Sequence, residues 1–187
     1  MQKVRGSIPL SSTSSGGPSC DGVADHAVGV TRSPAVEIRD QERGAGETCR
    51  AILATIPAWF GIEESNRGYI DRAEHGPSVI ASIDGSDIGI TVVTRHFPEA
   101  AEVHLMAVHA AHHRHGAGRR MLEHAEAALA TEGVRFLQVK TLSPRSIDAG
   151  YERTRAFYRA CGFSPLEEFP DLWDADNPAL QMIKTLR

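Results

Sequence analysis

A single α/β domain built on one mixed sheet is what this sequence predicts, and three observations carry the expectation. Segments with strand periodicity and segments with helix periodicity alternate from Ala35 to the end of the chain. The pair Asp84-Gly85 separates two apolar runs, as a tight hairpin requires. A strand, a short loop, a glycine pair and an amphipathic helix then follow one another between Ala101 and Thr131.

Taken in order, residues 1–34 contain Ser11-Ser12-Thr13-Ser14-Ser15-Gly16-Gly17-Pro18 and show neither periodicity, so they are expected to form a disordered tail before a domain over 35–187. Ala35-Val36-Glu37-Ile38 alternates like a strand. Cys49, Ile52, Leu53 and Ile56 recur at helical spacing in a segment from Gln41 to Pro57. A second helix is expected from Glu63 to Ala73, then a hairpin of Ser78 to Ile83 and Asp87 to Thr94, then a strand from Ala101 to Val108. The helix from Gly116 to Thr131 gathers Ala117, Met121, Leu122, Ala125 and Leu129 on one face and has Gly133 where a C-cap glycine belongs. Val134 to Lys140 reads as a strand, Tyr151 to Ala160 as a helix stopped by Gly162, and Leu180 to Leu186 as a final strand.

With 187 residues the chain has the length of one ordinary domain, and 41% hydrophobic with 24% charged residues is the mixture of a globular protein. A net charge of -4 and a pI near 6.1 argue against a protein built to grip nucleic acid, so any phosphate site must be local. Cys20, Cys49 and Cys161 are odd in number and form no CxxC pair, which suggests neither a disulfide framework nor a thiolate metal site and fits a reducing compartment. Lys3 and Arg5 lead into Ser, Gly and Pro rather than an apolar run, and no stretch approaches the ~18–20 apolar residues that cross a bilayer. The expectation is a cytoplasmic protein with no membrane partner.

The chemistry is expected between Glu102 and Arg120. Glu102-Val103-His104-Leu105-Met106-Ala107-Val108 leads to His113-Arg114-His115-Gly116-Ala117-Gly118-Arg119-Arg120. Glycines at a helix start let a ligand approach the backbone, and the N–H groups there meet negative charge favourably. A pyrophosphate would fit, with Arg114, Arg119 and Arg120 adding charge-assisted contacts. A dinucleotide-binding fingerprint would need a third glycine and an acidic residue where Met121 and Lys140 stand, and the Gly-Lys-Ser/Thr ending of a P-loop is missing.

The stretch resembles motif A of the GNAT superfamily of N-acetyltransferases, an apolar strand followed by Gln/Arg-x-x-Gly-x-Gly/Ala at a helix start. Phe157-Tyr158-Arg159-Ala160-Cys161-Gly162-Phe163 resembles that superfamily's motif B, in the right order and after a suitable strand. The resemblance runs from about Val36 to Leu186. Two departures stand out: His113 replaces the preferred Gln or Arg, and Tyr151 and Thr154 stand where motif B often has Asn and Ala.

The resemblance implies a mostly antiparallel mixed sheet flanked by helices and splayed between its fourth and fifth strands, with acetyl-CoA as acyl donor in the gap. It implies that Met106, Ala107 and Val108 hold the thioester and pantetheine arm, and that His113, Arg114, His115, Gly116, Ala117, Gly118 and Arg119 hold the pyrophosphate. Period-two alternation is expected to put Glu102, His104 and Met106 on one face. Glu102, which matches the position of a catalytic Glu in several relatives, is the expected base, with His104 as its rival. Tyr158 matches the family's usual acid for the departing thiolate. His109, His112, His113 and His115 cluster without a carboxylate or thiolate partner, so no metal is expected.

Acceptor specificity, by the same resemblance, falls to the first two helices and the loops near the last strands, where Trp59, Phe60, Glu63, Phe97, Phe169 and Trp173 lie. A small-molecule amine is the expected acceptor, and a homodimer is compatible with the reading. The alternatives are a protein N-terminal or lysine acetyltransferase, and a non-catalytic module that binds or senses acyl-CoA.

Overall fold

The computed structural model describes residues 35–174 and 176–187, so the expectation for residues 1–34 lies outside the described part. Seven strands form one sheet in the order β1-β2-β3-β4-β5-β7-β6. They are β1 (Glu37–Gln41), β2 (Ser78–Ile83), β3 (Ser86–Phe97), β4 (Ala100–Val108), β5 (Phe136–Leu142), β6 (Ser164–Asp174) and β7 (Asn177–Thr185). Every neighbouring pair is antiparallel except β4 and β5, which run parallel. The helices are α1 (Gly46–Ala54), α2 (Glu63–His75), α3 (Ala117–Thr131) and α4 (Ala149–Ala160), with a 3-10 turn over Ala110–His112. The fold expected from the sequence is the fold observed. No helix among the described residues is long and apolar enough to cross a membrane.

The sheet buries both faces. On one, Met121, Leu122, Ala125 and Leu129 of α3 and Phe157 and Tyr158 of α4 pack on Val79, Val103, Met106 and Val139. Gly89 of β3 makes this approach possible, since a Cβ there would meet Met121 Cε at 2.8 Å. On the other face Cys49, Ile52 and Leu53 of α1 and Tyr69 and Ala73 of α2 cover Ile80, Ile90, Val92, Leu105 and Ala107. At about 1.5–3 kcal/mol for each large apolar side chain, these two layers dominate the stability. Cys49 is part of the second layer, and burial pushes its thiol up to about 12, so it packs as an inert apolar group.

The α1 helix begins at Gly46, not at Gln41. Its first turn is fixed from α2: Glu74 Oε2 accepts from Gly46 N at 3.1 Å, and the Glu74 and Ala73 carbonyls accept from Gly44 N and Ala45 N. The start of α1 is thus set by a tertiary contact that periodicity does not contain. Strand β6 went unread because it is exposed along most of its length, carries Pro165 and Pro170, and owes its extended form to pairing with β7. As an edge strand it tolerates proline where an inner strand would not.

Two β-bulges interrupt the β3–β4 ladder. Val92 pairs with Leu105 and Val93 with Val103, so His104 is an extra residue in β4; Arg95 pairs with Ala101 and Phe97 with Ala100, so His96 is an extra residue in β3. The first bulge overturns the expected alternation. His104 packs edge-on to Tyr69 on the α2 face and Leu105 joins the same layer, whereas Met106 turns to the α3 face. Glu102, His104 and Met106 therefore do not share a face, because the inserted residue resets the period of two.

Candidate active site

The parallel β4–β5 pairing begins at Ala100–Phe136 and ends at Val103–Val139. Beyond it β4 continues to Val108 and β5 to Leu142, each held only by its other neighbour, β3 or β7. Backbone polar groups on the inner edges of such a split require partners from outside the sheet. Two are filled by side chains: His113 Nε2 lies 2.7 Å from the Val108 carbonyl, and Arg155 Nη1 donates to the Leu142 carbonyl at 2.8 Å. Met106, Ala107 and Val108 lie on the open stretch of β4.

Past the end of β4 the chain turns into α3 through Arg114 and Gly116, with φ of 70° and 81°. Gly116 takes the N-cap position in left-handed geometry, with open space where a Cβ would stand. No side chain caps α3 and no acidic residue lies in its first turn, so its leading N–H groups point outward with the positive end of the helix dipole. Ala117 and Gly118 form that turn and are buried, while His115 and Arg120 are exposed beside it. Arg119 reaches the Ala160 carbonyl at 3.3 Å and pairs with Glu123 at 3.7 Å. The turn thus presents backbone N–H donors and exposed cationic side chains at the mouth of the split, an arrangement that favours an anion.

The expected histidine cluster does not converge on one point. His109 Nδ1 caps the 3-10 turn by accepting from Ala111 N, His112 stacks edge-on against His109, and His113 faces the Val108 carbonyl. Burial is the main force lowering the pKa of His113, which keeps it a neutral donor to that carbonyl.

On the α2 side, the split opens into a cleft of about 750 Å³ bounded by α2, β3, β4, β5 and β6. Glu102 and His104 line it together with His96 and Lys140. Glu102 is 7% exposed, and its Oε2 accepts from Lys140 Nζ at 2.7 Å, from His96 Nε2 at 2.7 Å and from Gln138 Nε2 at 3.2 Å. Burial alone would raise its pKa; the Lys140 ammonium and the His96 contact outweigh burial and hold the carboxyl below the usual range. His104 is moved the opposite way to a cation: burial lowers its pKa more than the Glu102 carboxylate raises it.

Tyr158 lies on the far face, fully buried between Phe157 and Phe163, with ring centroids 5.4 and 5.5 Å away. It belongs to the same layer as Met106 on the open stretch of β4 and Val139 at the last β4–β5 rung. Of the residues expected to shape acceptor binding, Trp173 lines the cleft, and from the start of α2 Glu64 lines it rather than Glu63. Phe60 is core, Phe97 is 70% exposed, and Phe169 pairs with Ala179 in the unread strand β6. Trp59 stands 6.3 Å from the His113 ring and close against Gly150 at the start of α4. His96, Lys140 and Arg155 were missed; a histidine two residues beyond Thr94 was the available signal for the first.

A split parallel pair, an uncapped helix start at its mouth and a carboxylate cleft on one face thus lie together in one region of the sheet. Residues 74–165 match the family model described as the acetyltransferase (GNAT) domain. Among solved structures, a putative GNAT acetyltransferase from Desulfovibrio desulfuricans superposes with a TM-score of 0.71 at 19% identity, covering 82% of this chain and 100% of that one. An aminoglycoside 6'-N-acetyltransferase complexed with coenzyme A gives 0.64 at 16%, covering 81% and 97%. The ribosomal-protein-S18-alanine N-acetyltransferase from Escherichia coli gives 0.65 at 17%, covering 81% and 94%. At these identities the likeness establishes a shared fold. Curated protein sequences yield no match.

Proposed function

We propose that this protein transfers an acetyl or other short acyl group from acetyl-CoA to a primary amine, by direct attack within a ternary complex. The observation that carries the reading is the end of the β4–β5 ladder at Val103–Val139, between an uncapped α3 and a cleft holding an ionised Glu102. A related fold complexed with coenzyme A supports the donor.

Each part of the site then has a physical task. The N–H groups at the start of α3 and the nearby arginines meet the pyrophosphate, and backbone N–H groups on the open edge of β4 at Met106 to Val108 donate to the thioester carbonyl and the pantetheine arm, the Val108 carbonyl being held by His113. An amine of pKa ~10 arrives protonated at neutral pH, so a group in the cleft has to take a proton before attack. Glu102 is the anion around which that proton-accepting side is built. As the tetrahedral adduct collapses, Tyr158 on the other face protonates the departing thiolate. The 35–187 segment carries all of these groups.

A small-molecule amine suits a cleft of about 750 Å³ with a polar lining, and the aminoglycoside enzyme among the similar folds supports this class. The test is thiol release from acetyl-CoA across primary amines of several sizes and an alanine-starting peptide. Release with small amines and none with the peptide is expected. Binding of acetyl-CoA without release to any amine would sink the transferase reading in favour of a sensing module.

A further inference from the structure

Resting on the transferase reading, we infer that the atom receiving the amine proton is Nδ1 of His96, with Glu102 as its positioning residue. His96 is the bulged residue of β3, and the extra residue re-aims its side chain into the cleft beside Glu102. Its Nε2 lies 2.7 Å from Glu102 Oε2. An ionised carboxylate only accepts, so Nε2 carries the hydrogen, and a ring with that single hydrogen has its lone pair on Nδ1. Among the described residues Nδ1 has no partner, and the side chain is 37% exposed toward the cleft.

The alternatives fit less well. Oε2 of Glu102 already accepts from three donors, one of them the Lys140 ammonium at 2.7 Å. An imidazole is moreover, as a group, a base roughly a hundredfold stronger than a carboxylate. His104 packs its ring edge-on against Tyr69, 5.6 Å between centroids, and sits deeper under α2. The arrangement is a carboxylate behind an imidazole, in which the carboxylate fixes the tautomer and stabilises the imidazolium.

The ammonium gives one proton to Nδ1, the freed nitrogen lone pair forms the C–N bond, and the carbonyl π pair moves to oxygen. On collapse the C–S bond breaks, sulfur leaves with the pair and takes the Tyr158 proton. The second N–H proton of the adduct restores the tyrosine charge, and the imidazolium releases one proton to solvent overall.

His96→Ala and His96→Gln should lower turnover of acetyl-CoA with a responsive amine such as tyramine or spermidine by about 10²-fold or more, leaving acetyl-CoA affinity within about twofold. Millimolar imidazole should restore part of the His96→Ala activity and none of the His96→Gln activity, whose side chain fills the site. Full turnover by either folded variant overturns the inference while leaving the transferase reading intact. A depressed rate that imidazole does not lift in His96→Ala also overturns it, in favour of a structural role. Wild-type protein that releases no thiol with any amine overturns the transferase reading and the inference with it.

Discussion

Lys140 is the first residue of β5 beyond the last β4–β5 rung, and its ammonium lies 2.7 Å from the Glu102 carboxylate across the start of the split. The pair closes the sheet electrostatically where the backbone ladder stops. Glu102 is 9% and Lys140 25% exposed in their side chains, so the contact is partly desolvated and worth more than a surface pair.

Removing that ammonium exposes the balance at Glu102. Lys140→Met leaves burial opposed by His96, His104 and the Gln138 hydrogen bond without the ammonium, so the carboxyl should titrate at higher pH. A carboxyl held below its ordinary pKa contributes stability above the unfolded value of ~4.3, and the contribution disappears as pH falls through the folded value. The variant should therefore lose about 1.5–3 kcal/mol at pH 7. That deficit should shrink only at a pH below the depressed folded value of wild-type Glu102, where both proteins carry it protonated. Urea unfolding at the two pH values measures it, and an equal deficit at both would mean that packing of the lysine stem, not charge, sets the cost.

The pyrophosphate assignment is tested at Gly118 in preference to Gly116. Gly116 has a φ of 81°, so any side chain there brings backbone strain as well as bulk. Gly118 lies inside α3 and has no left-handed geometry to lose. Gly118→Val should weaken acetyl-CoA binding at least tenfold, about 1.4 kcal/mol, by calorimetric titration. A folded variant with unchanged affinity would show that the phosphates dock elsewhere.

Much of this arrangement was legible in the chain. Asp84-Gly85 gave the hairpin, the spacing from Ala117 to Leu129 gave α3, and the two motifs placed the split beside it. What escaped depended on contacts distant in sequence. A bulge is a mismatch between two strands, so neither His96 nor His104 announces it, and alternation then misplaced Met106. Lys140 stood out only as a residue that is not an acid; its role exists because β5 runs parallel to β4 and brings it beside a residue 38 positions away. Exposed β6, with two prolines and little apolar alternation, carries no strand signal apart from its partner.

Arg155 of α4, 6% exposed, holds the Leu142 carbonyl at the free end of β5. Burial is the main force lowering its pKa. Arg155→Met keeps the stem and removes the donors, leaving a carbonyl at the split without its bond. Stability should fall by about 1–3 kcal/mol, or roughly 2–10 °C in Tm for a domain of this size. The KM for acetyl-CoA should rise as the β5 side of the split loosens. A thermal scan paired with acetyl-CoA titration separates the two effects, and a variant unchanged in both would make this contact incidental.

Tyr158 and the Glu102–His96 pair lie on opposite faces of the sheet, with the split between them. A thioester in the split would thus meet its proton donor from one side and its nucleophile from the other. Tyr158→Phe keeps the ring between Phe157 and Phe163 and removes one oxygen, so packing and acetyl-CoA affinity should change little. If the hydroxyl acts only as the C–S bond breaks, turnover should fall about 10²-fold or more, with kcat and kcat/KM lowered together. The loss should be smallest with thioesters of more acidic thiols, whose anions leave without a proton. Normal turnover by Tyr158→Phe, under conditions where chemistry limits the rate, would mean that water protonates the sulfur and that this tyrosine serves the core alone.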